Sequence, residues 1–312
     1  DSKLGARAMQ GAALCVALAF MLPGLATTPV WFALAMLLAS SGSGALDVIM
    51  NTRVSGIEAD TQRSLMNLNH ALFSFAYAGA ALSTGLFREA GLAPFYVFLI
   101  MNLCVFLLIP MMFHKAVGFE EDDTSAPMKV RTGLVFFGGT IILIAFMSEQ
   151  ATEAWSALHL GRGLGGSAAQ GALGPAILGL TMGVGRMSGQ FIAAHVRETI
   201  VLQIAAVVAA IGLFIAAGAE SLTIAYIGFA ILGVGVSVMA PMAYSAVGKR
   251  VSNQQRVVVI TRISVIGYTG FFVGPPLMGG LSEMFGLATS FTAIAVILLL
   301  VSAVLAPGLR KQ

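Results

Sequence analysis

The stretch SSGSGALDVIMNTRVSGIEAD, residues 40–60, begins inside an apolar run long enough to cross a bilayer and ends in a charged, loop-like segment. Within it, Ser40, Ser43, Asp47 and Asn51 recur at steps of three and four residues, so a helix places them on one face. A carboxylate at the centre of a membrane helix costs on the order of 2.5–3.5 kcal/mol even on the lenient insertion scale. Such groups usually face a bundle interior or a watery cavity, so Asp47 is the first sign of a polar pathway.

The composition places most of this chain in lipid. Of its 312 residues, 58% are hydrophobic and 10% are charged, whereas a soluble domain carries about 25% charged residues. The net charge of +3 is spread over loops and forms no dense basic patch, so nucleic acid is not an expected partner. Cys15 and Cys104 both lie in apolar runs, which argues against a disulfide framework or a metal site. No cofactor is expected, and the first residue, Asp1, suggests a fragment of a longer chain.

Ten apolar runs of about 20 residues predict an all-α, polytopic helical membrane protein. They lie at 8–27, 30–51, 65–86, 93–113, 133–157, 168–190, 199–218, 221–246, 260–282 and 287–307. The longest polar break, HKAVGFEEDDTSAPMKVR at 114–131, separates four spans from six. We therefore expect a partial N-terminal half over 1–114, a cytoplasmic linker over 115–131, and a six-helix C-terminal half over 132–312.

The positions of Lys and Arg predict the orientation. If the first residues are cytoplasmic, only Arg88 and Arg162 of the 17 Lys and Arg residues fall on outward-facing loops. Because positive residues concentrate in cytoplasmic loops, this supports a multi-pass protein of the inner membrane with the N-terminal end of this chain and the C-terminus in the cytoplasm.

Asp47 and Asn51 form the first candidate pair. An acid one helical turn from an amide can take up a proton or bind a polar solute. The alternative places Asp47 near the cytoplasmic end, where it pairs with Arg53, Arg63 or a loop amide. We favour the pathway role and leave the other open.

Glu149 and Glu153 lie one turn apart on one face of the fifth predicted span. Like charges at this spacing repel and burial disfavours ionisation, so at least one carboxyl is expected to be hard to ionise. A protonatable carboxyl at membrane depth is what a proton-coupled carrier needs. The alternative places Glu153 at the outer interface, with Trp155 as an aromatic anchor. Gln150 is a candidate solute contact, with ordinary packing as the alternative.

Asn67, His70 and Ser74 share a face of the third predicted span, at steps of three and four residues. His70 can relay a proton or contact solute because imidazole titrates near neutral pH, and a packing histidine is an equal alternative. His114, His159 and His195 lie in or next to predicted loops and receive no role, and no metal-ligand spacing is present. Small-residue motifs that let helices approach closely occur at three places: Gly179 with Gly183, Gly185 with Gly189, and Gly270 with Gly274.

Four spans, a charged loop and six further spans resemble the major facilitator superfamily, whose members have two six-helix halves around a central cavity. The segments ALDVIMN (45–51), SEQATEAWS (148–156) and GYTGFFVGPP (267–276) are similar to YbjJ-type permeases, a branch near the fucose–proton symporters. The resemblance implies that the ten spans are helices three to twelve, with the first two absent.

The opening DSKLGAR resembles the end of this family's loop between helices two and three. The pseudo-equivalent segment in the second half is GRMSGQ at 185–190, in which Gln190 replaces the expected Asp. The resemblance implies a conformational latch that contains Asp1, Arg7 and Arg186.

These features favour a secondary transporter of a small polar solute, with a sugar-like solute as one option. Alternating access and proton coupling through Asp47 or Glu149 are the expected mechanism. The expected partners are the solute, H⁺ and the bilayer, and the expected state is a monomer. One alternative is a ten-helix drug/metabolite-type exporter with two five-helix halves; another is a non-transporting membrane sensor or scaffold. An enzyme is not expected, because no nucleophile–base set stands out.

Overall fold

A computed structural model describes residues 8–61, 65–112 and 131–312. Within these ranges the chain forms helices and no strand, which confirms the predicted all-α polytopic bundle. The main helices are α1 (Ala8–Ala19), α2 (Pro29–Thr61), α3 (Met66–Glu89), α4 (Pro94–Leu108), α5 (Thr132–Leu158), α6 (Ala168–His195), α7 (Glu198–Ala217), α8 (Leu222–Gly248), α9 (Asn253–Phe285) and α10 (Leu287–Leu300). Each of them overlaps one of the ten apolar runs. A short helix, α11 (Ala306–Arg310), follows a π-helical turn after α10.

Several helix ends follow from local sequence. The hydroxyls of Ser221 and Ser252 accept hydrogen bonds from the backbone N–H of Ile224 and Gln255, which caps the starts of α8 and α9. Gly286 separates α9 from α10 with φ +83°, a left-handed conformation that favours glycine. These turns set the boundaries of the helices that carry the candidate site.

Seven helical segments in the described part of the chain are long and apolar enough to cross a membrane. They lie in α2, α4, α5, α7, α8, α9 and α10. Helices α3 and α6 have 24 and 28 residues, enough to span, but they are not among the seven. These two less apolar helices contribute Ser74 and Arg186 to the polar site described below.

The helices form two packing units. Of the described residues, 8–61, 65–69 and 86–112 form the first unit, and 70–85 and 131–312 form the second. In the first unit α1 packs against α2 and α4. In the second, the most extensive contacts join α7 to α8, α5 to α9, and α6 to α8. The central part of α3 belongs to the same unit and contacts α6 at Gly85 and at Gly179. The halves expected at 1–114 and 132–312 stay a prediction, because nearly all of the intervening linker lies outside the described residues.

Two glycines allow α9 to lie directly on the backbone of α5. A Cβ atom added to Gly274 would lie 2.7 Å from the carbonyl oxygen of Met147. A Cβ atom on Gly270 would collide with the carbonyl oxygen of Leu143 and lie 2.9 Å from the backbone nitrogen of Met147. Because backbone atoms cannot move aside as a flexible side chain does, larger residues at these positions would push the helices apart.

We expect Gly270→Ala to destabilise the protein by about 1–3 kcal/mol, because the added methyl group overpacks the contact between α5 and α9. Gly280→Ala is the matched control on α9, since a Cβ atom there would meet nothing within 4 Å. Thermal unfolding in detergent should show a lower midpoint for Gly270→Ala, and an unchanged or slightly higher midpoint for Gly280→Ala. Equal midpoints for the two variants would contradict the close backbone approach.

Candidate functional site

Arg186 of α6 connects α5 and α3 within the second unit. Its Nη2 lies 3.2 Å from Oε1 of Glu149 on α5, and its Nη1 donates a hydrogen bond of 2.6 Å to Oγ of Ser74 on α3. Glu149 and Ser74 are 8% and 3% exposed. A charge in an apolar interior is tolerated when it is paired and hydrogen-bonded. Arg186 therefore provides both the countercharge of Glu149 and a polar connection between three helices.

Small residues on α6 bring α3 close enough for this contact. A Cβ atom on Gly179 would lie 2.8 Å from the ring of Tyr77, and one on Gly183 would lie 2.7 Å from the ring of Phe75. Ser74 also donates its hydroxyl proton to the carbonyl oxygen of His70, 3.0 Å away, so its Oγ is oriented to accept from Arg186. The close contact between α3 and α6 thus brings the hydroxyl of Ser74 within hydrogen-bonding distance of the guanidinium of Arg186.

Glu153 lies one turn beyond Glu149 on α5, partly exposed. It is close enough to interact electrostatically with Glu149, which repels it, and with Arg186, which attracts it. Tyr77 of α3 is within electrostatic range of both carboxylates. Two carboxyl groups and one guanidinium therefore share this region, and Gln150 lies partly exposed between the acids in sequence.

Aromatic rings border the same face of α5. Phe146 stacks on Phe271 of α9 with centroids 4.5 Å apart, and on Tyr268 with centroids 5.8 Å apart. Phe146 lies three residues before Glu149 and four before Gln150, so a helix brings all three to one face. Trp155 lies elsewhere on α5, where its Nε1 donates to the carbonyl oxygen of Pro275 at 3.2 Å.

Asp47 and Asn51 contact each other in the first unit. The amide nitrogen of Asn51 donates to Oδ2 of Asp47 at 3.0 Å, and both side chains are partly buried. Arg53, two residues further along α2, is 4% exposed. The pair expected from the sequence spacing therefore occurs on α2 as a hydrogen-bonded acid and amide.

The remaining residues predicted from the sequence lie on α3 and α6 or fall outside the described part of the chain. His70 is partly buried on α3. A Cβ atom on Gly185 would lie 2.8 Å from Cβ of Ser237, so α6 approaches α8 closely there. The side chain of Asn67 and the surroundings of Gly189 lie outside the description, as do Asp1 and Arg7 altogether.

His159 is a buried residue to which sequence reasoning gave no role. It is 4% exposed, its Nε2 lies 3.0 Å from the carbonyl oxygen of Ala216, and its ring contacts that of Phe291. The predicted span ends at residue 157, but the helix continues through a π-helical turn, His159–Gly163. That continuation places His159 inside the bundle rather than in a loop. Among the described residues, no group of His, Cys, Asp and Glu could hold a metal ion.

Two features of the site escaped sequence reasoning. Tyr77 had no assigned role, although it lies three residues after Ser74 and seven after His70, on the same helical face. The contact of Arg186 with Glu149 joins residues 37 positions apart. An arginine inside an apolar run was the available signal, since such a charge requires a partner.

Comparisons with known proteins show that this chain is similar to membrane proteins, including a transporter. An uncharacterised MFS-type transporter of Yersinia pestis is 29% identical over 306 residues, which cover 97% of this chain and 79% of that protein. The membrane protein MosC of Rhizobium meliloti is 25% identical over 84% of this chain and 64% of its own length.

Solved structures with similar folds include two transporters. A bacterial homologue of the human lysosomal transporter Spinster has a TM-score of 0.71 at 16% identity, covering 99% of this chain and 83% of its own. The E. coli fucose:proton symporter has a TM-score of 0.61 at 14% identity, covering 97% and 84%. At this identity the likeness shows the fold alone. The sequence model of the Major Facilitator Superfamily matches residues 2–259 and 138–311, over nearly the whole chain. This chain, a multi-pass membrane protein, therefore belongs to the major facilitator superfamily.

Proposed function

We propose that this chain is a proton-coupled secondary transporter of a small polar solute, with sugars as first candidates, that works by alternating access in the inner membrane. The observation that carries the proposal is the ion pair between Arg186 and Glu149, with Ser74 as the third partner. Intramembrane ionisable groups are expensive and are functional by default. Its family and its relatives support membrane transport as the general activity.

The geometry supports coupling through Glu149. Protonation of Glu149 removes the negative charge that holds Arg186, while Ser74 remains as a neutral acceptor. Arg186 belongs to α6 and contacts α3 and α5, so loss of the charge on Glu149 weakens a connection between three helices. Protonation of Glu149 can thus change the relative stability of two arrangements of these helices. Coupled transport requires such a link between proton binding and conformation.

Asp47 and Asn51 are a second candidate for proton or solute binding, with His70 and Asn67 as further pathway residues. We place both the N-terminal end of this chain and its C-terminus in the cytoplasm, and propose that the protein acts as a monomer. The glycine pairs on α6 and α9 are proposed sliding surfaces. A drug/metabolite-type exporter with two five-helix halves does not fit a chain of this superfamily.

Uptake by the purified full chain in proteoliposomes tests this proposal. With the proton concentration higher outside, a polar solute from a panel of labelled sugars and related compounds should accumulate inside, because entry of the solute is coupled to entry of H⁺. A proton ionophore should abolish the accumulation, and protein-free vesicles are the control. Uptake that is unaffected by the gradient for every solute that enters would overturn proton coupling. Absence of uptake across the whole panel would overturn the transport assignment for these solutes.

A further inference from the structure

Three polar groups beside the Arg186–Glu149 pair retain unused hydrogen-bonding capacity. They are the carboxylate of Glu153, the hydroxyl of Tyr77 and the amide of Gln150. All three residues are partly exposed, and none makes a side-chain hydrogen bond to another residue within the described ranges. Tyr77 lies three residues after Ser74 on α3 and Glu153 lies four residues after Glu149 on α5, so the contacts of Arg186 with Ser74 and Glu149 bring groups of both helices to the same region. Convergent polar groups without protein partners are typical of a site that binds a polar ligand.

The charges in this region do not balance. Arg186 is engaged by Glu149 through Nη2 and by Ser74 through Nη1. Glu149 is therefore already compensated, and an ionised Glu153 leaves one negative charge over. An uncompensated carboxylate inside a membrane bundle is costly, so Glu153 requires either a proton or a cation that is not part of the described protein.

The face of α5 that carries Glu153 is bordered by α6 and α9. On one side, Ser156 packs on Gly174 of α6, where a Cβ atom would lie 2.9 Å from its Oγ. On the other side, Met147 packs on Gly274 of α9. Gln150 and Glu153 remain partly exposed between these contacts.

Phe146 lies on this face one turn before Gln150 and belongs to the aromatic stack with Phe271 and Tyr268. The stack provides an apolar surface beside the polar groups. A flat carbon ring can pack against such a surface, while a positive charge is also attracted by aromatic faces.

We infer that this site selects a hydroxylated solute with a protonated amine, and that Glu153 is the residue that binds the amine. The inference rests on the proposed function and specifies its substrate class. The ammonium group donates to Glu153, the hydroxyls bond to Tyr77 and Gln150, and the carbon frame packs on Phe146. Glu149 does not take this role, because Arg186 occupies it.

Binding to the purified full chain tests the inference independently of transport. Glucosamine, glucose and glucuronate share a ring frame and differ in charge, and a parallel set of small amino alcohols, diols and hydroxy acids extends the comparison. Isothermal titration calorimetry should show amines binding about ten- to a hundredfold more tightly than neutral or anionic analogues, as expected for a hydrogen bond to a charged group. Glu153→Gln should remove this preference, so that amines bind no more tightly than their neutral analogues. Glu220→Gln, at an exposed residue between α7 and α8, is the matched control and should retain the preference.

Equal binding of amines, neutral compounds and acids would overturn the inference, as would failure of every amine in both sets to bind. A preference for amines that persists in Glu153→Gln would also overturn it, because Glu153 would then hold only a proton. The two proposals fail in different ways. Amine-selective binding without uptake contradicts the transport function alone, whereas gradient-driven uptake of neutral solutes without amine-selective binding contradicts the inference alone.

Discussion

Replacement of Arg186 by methionine should lower the free energy of unfolding by about 3 kcal/mol, the order expected when one partner of a buried ion pair is removed. Methionine replaces the apolar stem of arginine but not its guanidinium, so it leaves Glu149 without its countercharge and Ser74 without its donor. Arg186→Lys should be intermediate, because an ammonium group keeps the charge but lacks the planar fork that reaches two acceptors. The measurement is thermal or denaturant unfolding of the purified protein in detergent.

Arg310→Met is the control for this series, since Arg310 is an exposed arginine near the end of the chain. It should change stability by less than about 0.5 kcal/mol. The double variant Arg186→Met/Glu149→Gln should recover much of the loss, because removing both charges avoids an unpaired carboxylate. A single Arg186→Met variant as stable as Arg310→Met would show that the ion pair does not hold these helices together.

The second large effect is expected on coupling rather than on stability. Glu149→Gln removes the proton site but keeps a side chain of the same shape that accepts from Arg186, and Glu153 is close enough to attract the unpaired guanidinium. The variant should therefore fold and exchange solute across the membrane. Gradient-driven accumulation should fall to passive equilibration, because no proton is taken up with the solute.

Counterflow of labelled solute and pH-gradient-driven accumulation, measured in the same proteoliposomes, separate these two properties. Glu149→Gln should retain counterflow and lose accumulation, whereas the exposed control Glu220→Gln should retain both. Asp47→Asn distinguishes the two candidate proton sites: we expect it to retain accumulation if Glu149 is the coupling residue. Loss of accumulation in Asp47→Asn, with full accumulation in Glu149→Gln, would move the coupling role to α2.

The helices and their order could be predicted from the sequence because hydrophobic length is a strong local signal in membrane proteins. Each of the ten predicted spans overlaps a helix, and the deviations occur at ends, as in α2, which continues to Thr61 instead of ending near residue 51. The polar residues between 51 and 61 do not end that helix, because a helix needs an apolar face only while it remains in the bilayer. The hydrogen bond between Asp47 and Asn51 could likewise be anticipated, since both lie on one helix four residues apart.

The partner of Glu149 could not be predicted in the same way. Spacing along one helix shows that Glu149 and Glu153 share a face, but it does not show which residue of another helix reaches that face. The rotation and depth of α6 against α5 depend on packing at positions such as Gly174, and these bring Arg186 to Glu149. The sequence placed Arg186 in a latch by resemblance, whereas the contacts found for it are with Glu149 and Ser74. For the same reason, the sequence of α3 alone does not predict the position of Tyr77, which depends on the packing of α3 on α6 at Gly179.

Solute-induced proton uptake is the most direct measurement of coupling through Glu149. Proteoliposomes loaded with a pH-sensitive dye and containing either the unmodified chain or Glu149→Gln would receive a transported solute in the absence of a pH gradient. The unmodified chain should acidify the vesicle interior as solute enters, and Glu149→Gln should admit solute without a change in pH. Equal acidification by the two proteins would contradict a role for Glu149 in carrying the proton.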